Sequence, residues 1–153
     1  MGELNVAIVD PRSLYDLRRR VLRGNDPMTS VDFVDDDAPT ARHFAGLLDD
    51  RIVASASFFP GVAPIRSELV SYQLRFMAVD FDVQGRGFGS VVLDAAEDLL
   101  RDLGAEQLWA NARDTALGFY LATGWTAIEG SENVSPISGL AHTKIVKALR
   151  PVG

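Results

Sequence analysis

The sequence contains no cysteine, which excludes disulfides, thiolate zinc sites, iron–sulfur clusters and a cysteine nucleophile. Histidine is nearly absent as well: His43 and His142 are the two in 153 residues, too few to build a metal centre around. The acidic run Asp35-Asp36-Asp37 lacks the alternating oxygen ligands and the glycine of an EF-hand loop, so no metal is expected. Positive charge is short, with 15 basic against 21 acidic residues and a net charge of −6. Broad attachment to nucleic acid or to an anionic membrane needs clustered positive charge, and neither is an expected partner. No apolar run approaches the roughly 18 residues of a membrane-spanning helix. The first residues, Met1-Gly2-Glu3-Leu4-Asn5-Val6, carry an acid where an export signal is basic. A cytoplasmic protein is the expectation.

What the chain does have is apolar material, 47% of its residues, enough for a packed core at a length that suggests one domain over residues 1–153. Residues 4–9 read as a strand. Asp10-Pro11 follows as an N-cap with proline at the first helical position. In the helix that should follow, Leu14, Leu17, Val21 and Leu22 share one face, Arg18, Arg19, Arg20 and Arg23 supply charge, and Gly24 is the stop. Two readings of these arginines stay open, a solvated cationic face or contact with an anionic group. Residues 25–41, with Pro27 and Pro39, read as a long loop. The apolar runs 43–48 and 52–59 around Asp49-Asp50-Arg51 read as a hairpin.

Along residues 72–79 the pattern alternates: Tyr72, Leu74, Phe76 and Ala78 are expected on one face and Gln73, Arg75, Met77 and Val79 on the other. A glycine-rich turn, Val83-Gln84-Gly85-Arg86-Gly87-Phe88-Gly89, then leads into an amphipathic helix. Val92, Leu93, Ala96, Leu99, Leu100 and Leu103 lie on its inner side, and Gly104 ends it. A strand at 107–112, a short helix capped by Asp114 and running to Thr123, a strand at 125–128 and a closing strand at 143–149 complete an α/β order.

A strand that runs through spaced glycines into a helix suits an anion, because glycine permits close backbone approach and the helix start offers free amides and a favourable dipole. No lysine follows these glycines, which excludes the nucleoside-triphosphate loop. The dinucleotide pattern G-x-G-x-x-G fails as well, since its third position falls on Ser90 from Gly85 and on Val92 from Gly87. A ligand-free tight turn is the other alternative.

Gln84-Gly85-Arg86-Gly87-Phe88-Gly89 resembles the Q/R-x-x-G-x-G/A signature of the GNAT superfamily of N-acetyltransferases, and its place between a strand and a long helix is similar too. Asn111-Ala112-Arg113, Ala116-Leu117-Gly118-Phe119-Tyr120 and Gly124-Trp125 resemble the family's fifth strand, fourth helix and the turn beyond it. Residues 72–79 with Gly130, Pro136, Gly139 and His142 resemble a subgroup of small bacterial members, which tends to carry two acids where this chain has Ser131 and Glu132.

The resemblance implies a mixed, mostly antiparallel central sheet flanked by helices in a single domain, and transfer of an acetyl group from acetyl-coenzyme A to a primary amine of a small molecule or peptide. It implies that Gln84, Gly85, Arg86, Gly87, Phe88, Gly89 and Ser90 hold the pyrophosphate. Met77, Ala78 and Val79 are implied to pair with the pantetheine arm, with Asn111 and Phe119 also on the coenzyme. Tyr120 matches the tyrosine that protonates the departing thiolate, while Glu132 and His142 are the candidate bases and Arg75 is a candidate for substrate contact. Members of this fold often dimerise, so a homodimer is one expected state. Without cysteine an acetyl-thiol route is closed and direct transfer in a ternary complex is expected. The excess of acids suits a cationic amine. The alternative is a non-catalytic acyl-coenzyme A binding module of the same fold.

Overall fold

A computed structural model describes residues 3–136 and 138–149, so Met1 and Gly2 of the N-terminal reading lie outside the described residues. The chain divides into two compact units. One is formed by the residues up to Pro60 together with Leu74–Leu100, the other by Gly61–Gln73 and the residues from Arg101 onward.

In the first unit, β1 (Asn5–Ile8) pairs antiparallel with β2 (Arg42–Leu48), and β2 with β3 (Arg51–Pro60). The hairpin turns where expected. Asp49 and Asp50 take φ of 50° and 68°, the pair of left-handed residues that matches the twist of the flanking strands. Between β1 and β2 runs helix α1 over residues 11–22, wound unevenly: a tight 3-10 turn at Pro11–Leu14, an α turn at Tyr15–Leu17 and a wide π turn at Arg18–Leu22. Asp10 caps it as the sequence predicts, its carboxylate accepting from the Arg12 amide at 2.9 Å. Leu14 and Leu17 are buried, but so is Arg18, at 0% exposure. Of the two readings of these arginines, a solvated face does not hold for Arg18, which is buried against the Asp36 carboxylate at 2.8 Å.

Helix α2 (Phe88–Asp102) buries Val92, Leu93, Ala96 and Leu100, each large aliphatic contributing about 1.5–3 kcal/mol by leaving water. Its approach to β2 depends on Gly46, where an added Cβ would stand 2.9 Å from Val92 Cγ2. Leu103, expected on the inner side, lies beyond the helix and is 48% exposed.

β4 (Ser71–Val79) begins in the second unit, where Ser71, Tyr72 and Gln73 pair in parallel with Gln107, Leu108 and Trp109 of β5 (Gln107–Arg113). β5 pairs antiparallel with β8 (Ala141–Ala148), which also carries two short strands, β6 (Thr126–Ala127) and β7 (Asn133–Val134). Helix α3 (Asp114–Ala122) follows β5 directly; its N-cap is Arg113, so Asp114 is its first helical residue rather than its cap. The architecture is mixed α/β and mostly antiparallel. Among the described residues no helix is long and apolar enough to cross a membrane.

Candidate active site

In the first unit the predicted coenzyme segment starts at the end of β4. Asp80 terminates that strand and caps the short 3-10 turn Phe81–Val83, accepting from the Phe81 amide at 2.9 Å. Its carboxylate also takes two bonds from Arg20, at 2.8 and 3.1 Å, and one from Arg51 at 3.1 Å. These bonds, Arg20's foremost, hold Asp80 below the usual carboxylate range. The exit from β4 is thereby pinned on two sides. Val83 is buried, and Gln84, Gly85, Arg86 and Gly87 then run exposed.

Gly85 and Gly87 take φ of +83° and +79°, where side chains are strained, and nothing lies within 4 Å of an added Cβ at either position. The Val91 amide donates to the Gly87 carbonyl at 3.2 Å and closes the first turn of α2. The amides of Phe88, Gly89 and Ser90 therefore precede any carbonyl the helix can offer them. The Gln84 side chain turns back, its amide donating to the Val79 carbonyl at 2.9 Å. This ties the turn to the strand segment Met77, Ala78 and Val79.

That strand segment is not regular. Phe76 takes φ of +57°, a left-handed conformation rare for an aromatic residue in a strand. It is held there from three directions: Ser55 Oγ donates to its carbonyl at 3.0 Å, the Arg18 guanidinium lies 3.9 Å above its ring, and Phe33 meets it edge-on at 5.9 Å. Strain of this kind persists only where the surroundings over-determine it. The left-handed residue breaks the period of two, which corrects the expected alternation. Arg75 and Phe76, predicted on opposite faces, both reach the Phe33 ring, the Arg75 guanidinium at 4.6 Å from its centroid. Arg75 is half-buried, makes no ion pair among the described residues, and is pushed below the usual arginine value by that burial.

In the second unit Asn111 sits on β5 opposite Lys144. Its side chain exchanges two hydrogen bonds with Asn133, at 3.1 and 2.9 Å. No periodicity marks Asn133 in advance; it is placed by β7, which pairs it with His142 of β8. His142 is buried, and its Nδ1 lies 2.8 Å from the Leu140 carbonyl. A carbonyl only accepts, so Nδ1 carries a proton, and in the neutral ring Nε2 is the accepting nitrogen. Glu132, next to Asn133 in the chain, is exposed.

Tyr120 is 6% exposed on α3, its ring edge-on to Phe119 at 5.2 Å and to Trp125 at 5.5 Å. Burial pushes its phenol well above the ordinary tyrosine value. It is neutral throughout the physiological range. Phe119 is partly exposed beside it. The candidates thus form two sets: residues 75–79 and 84–90 in the first unit, and Asn111, Phe119, Tyr120, Glu132 and His142 in the second.

His43 belongs to neither set. Its Nδ1 and Nε2 contact Ser57 Oγ and the Asp36 carbonyl, both at 2.8 Å, which makes it a satisfied core residue. Among the described residues no group of three or more His, Asp or Glu side chains is placed to hold a metal ion.

A strand, an open glycine turn and a helix N-terminus, set in a mostly antiparallel α/β fold, are an arrangement that suits an anionic group. The chain belongs to the acetyltransferase (GNAT) family, whose sequence model matches residues 12–125. It is 28% identical over 147 residues to an uncharacterized N-acetyltransferase of Bacillus subtilis (strain 168), YitI, covering 96% of this chain and 97% of that one. Over 68 residues it is 43% identical to an aminoglycoside 2'-N-acetyltransferase of Mycolicibacterium fortuitum, a match over 44% of this chain and 34% of the other. A solved aminoglycoside 6'-N-acetyltransferase in complex with coenzyme A shares the fold at a TM-score of 0.79 and 13% identity, over 97% of this chain and 99% of that one.

Proposed function

We propose that this chain transfers the acetyl group of acetyl-coenzyme A to a primary amine of a small molecule or peptide, by direct attack within a ternary complex. The observation that carries the reading is the open turn at Gly85 and Gly87, left-handed and unobstructed, directly before the free amides of α2. Such a turn suits the pyrophosphate of an extended coenzyme despite the net charge of −6, because the amides and the helix dipole act at contact distance. In this reading Gln84 to Ser90 hold the phosphates, with Arg86 exposed in the same turn. Met77, Ala78 and Val79 hydrogen-bond the pantetheine arm, Asn111 and Phe119 contact the coenzyme, and Arg75 contacts the acceptor. When bound, acetyl-coenzyme A supplies a thioester carbonyl for acyl transfer.

An amine with a pKa near 10.4 arrives protonated and must first lose that proton. Of the two candidate bases, His142 is favoured over Glu132 because the Leu140 carbonyl fixes its Nδ1 proton and leaves Nε2 to accept. The nitrogen loses two protons in becoming an amide: His142 takes the first before attack, and as the nitrogen–carbon bond forms and the carbon–sulfur bond breaks, Tyr120 gives its phenolic proton to sulfur and the second nitrogen proton restores the phenol. The same reading treats residues 1–153 as one domain working in the cytoplasm, with a homodimer as one assembly state open to it and no nucleic-acid or membrane partner.

Thermal shift with acetyl-coenzyme A and thiol release across an amine panel test this. Ligand at 100 times its Kd should add about 2.7 kcal/mol of stability, and double-reciprocal lines should intersect. Tyr120→Phe should lower kcat by about 10² to 10⁴-fold while the coenzyme-induced thermal shift persists. No shift, or parallel lines, overturns the reading.

A further inference from the structure

Most arginines of residues 12–23 are committed to partners inside the protein. Arg12 forks onto Asp37 with two bonds of 2.9 Å, Arg18 is closed on Asp36, and Arg20 bridges Asp16 and Asp80. Arg19 and Arg75 differ. Neither makes an ion pair among the described residues; the Nε of each is buried without a hydrogen-bond partner, as is that of Arg18. Arg19 lines an open cavity of about 590 Å³, together with Tyr15, Met28, Val31 and Phe33. Arg75 lies with its guanidinium over the ring of that same Phe33.

The carboxylates in the neighbourhood do not neutralise these two cations. Asp26, the acid nearest in effect to Arg19, already accepts from the Met28 amide and the Thr29 hydroxyl. Asp32 and Asp37 line the same cavity and are exposed, Asp32 engaged with Ser30 and Asp37 with Arg12, and Asp35 acts on Arg75 only from a distance, also exposed. The acids are in water while the guanidinium groups are partly out of it. A partly desolvated cation without a counter-ion is costly in a folded protein, and arginine forks match carboxylate and phosphate oxygens two at a time.

We propose that the acceptor carries, besides its amine, an anionic oxygen group, a carboxylate or a phosphate, which Arg75 and Arg19 bind at the cavity bordered by residues 27–34. The inference rests on the acetyltransferase reading and narrows its substrate class. It also reverses the expectation from net charge, since a polycationic amine would bring like charge to these two arginines. The volume and the apolar contribution of Met28, Val31 and Phe33 suit a small amino acid or phosphorylated amine.

The test uses matched pairs that differ in the anion alone: phenylalanine against phenylalaninamide, and O-phosphoethanolamine against ethanolamine, with spermidine as the polycation. Thiol release gives kcat/KM, and calorimetry on the coenzyme A-loaded full chain gives Kd. At least one acid should be preferred over its neutral partner by tenfold or more, and the pair preferred separates a carboxylate from a phosphate. Arg75→Met keeps an unbranched side chain that can pack against Phe33 while removing the charge, and should raise KM for that acid at least tenfold with kcat little moved. Arg75→Lys should recover part of the loss, and Arg19→Gln should reduce the preference further. Equal binding within both pairs, preference for spermidine, absence of acid binding, or an acid preference that survives Arg75→Met with Arg19→Gln would each overturn the proposal. The acetyl-coenzyme A thermal shift in the same samples reports separately on the acetyltransferase reading.

Discussion

Arg18 and Arg75 stand on the same aromatic cluster and have opposite surroundings. The Arg18 guanidinium covers the Phe76 ring at 3.9 Å and is closed by Asp36 at 2.8 and 3.1 Å, the Val31 carbonyl at 3.0 Å and Ser57 Oγ at 3.1 Å. The Arg75 guanidinium covers Phe33 at 4.6 Å, with no carboxylate paired to it among the described residues. The first arrangement pairs its charge within the protein, although Arg18 Nε lacks a hydrogen-bond partner, so its effect is on stability and on holding Phe76 in its left-handed conformation. The second is incomplete, so its effect belongs to whatever supplies the missing charge. The glycine turn at 84–87 falls with Arg75 on this distinction, being exposed and unobstructed. The cavity of about 660 Å³ around Arg20, Arg51, Asp80 and Asp82 falls with Arg18, since both of its arginines are paired.

The sharpest way to break this comparison is to strand one charge in each place. Asp36→Ala leaves Arg18 buried without its partner and should cost about 3–5 kcal/mol, read from urea unfolding. Arg75→Met should change stability by less than about 1 kcal/mol. Similar losses in the two variants would show that Arg75 has a structural partner after all.

A milder version keeps the charges. Arg18→Lys cannot reproduce the fork to Asp36 together with the bonds to Ser57 and Val31, and should cost about 1–3 kcal/mol. Arg75→Lys should be nearly neutral for folding. In the glycine turn, Gly87→Ala forces a Cβ into a left-handed residue for about 1–2 kcal/mol. Its larger mark should be at least a tenfold weaker Kd for acetyl-coenzyme A, measured by calorimetry.

The smallest effect is the pH dependence of the closed region. Burial alone would raise Asp36, but the bonds from Arg18 and the Phe33 amide outweigh it and hold the carboxyl below its ordinary value. A depressed carboxyl contributes stability that is complete above its unfolded pKa of about 3.9 and is lost as pH falls through the folded one. Melting temperature should therefore drop as the solution is acidified below about pH 4. Asp36→Asn, less stable throughout, should show a shallower acid limb, and an unchanged limb would assign the loss elsewhere, to Asp80 first.

Much of the fold was legible because it depends on near neighbours. Asp49-Asp50 marks a hairpin since both residues tolerate positive φ, and Asp10-Pro11 starts a helix through one side-chain bond and one fixed dihedral. Val92, Leu93, Ala96 and Leu100 show the buried face of α2 by spacing alone. The glycine turn was legible for the same reason, as the φ values at Gly85 and Gly87 demand that residue whatever surrounds them. Asn133 was not, because its bonds to Asn111 join positions 22 residues apart.

The sequence by itself thus determined the local geometry: the hairpin, the amphipathic helix, the glycine turn before it, and the absence of any cysteine thiol. It did not distinguish Arg18 from Arg19, adjacent and chemically identical. Tertiary structure decided between them through the wide turn of α1 and an aspartate 18 residues away, and it alone bent β4 at Phe76 against the strand's own alternation. Propensity and periodicity act over a turn or two of chain. The pairing of buried charge and the support of a strained residue depend on groups that only the folded core brings within reach.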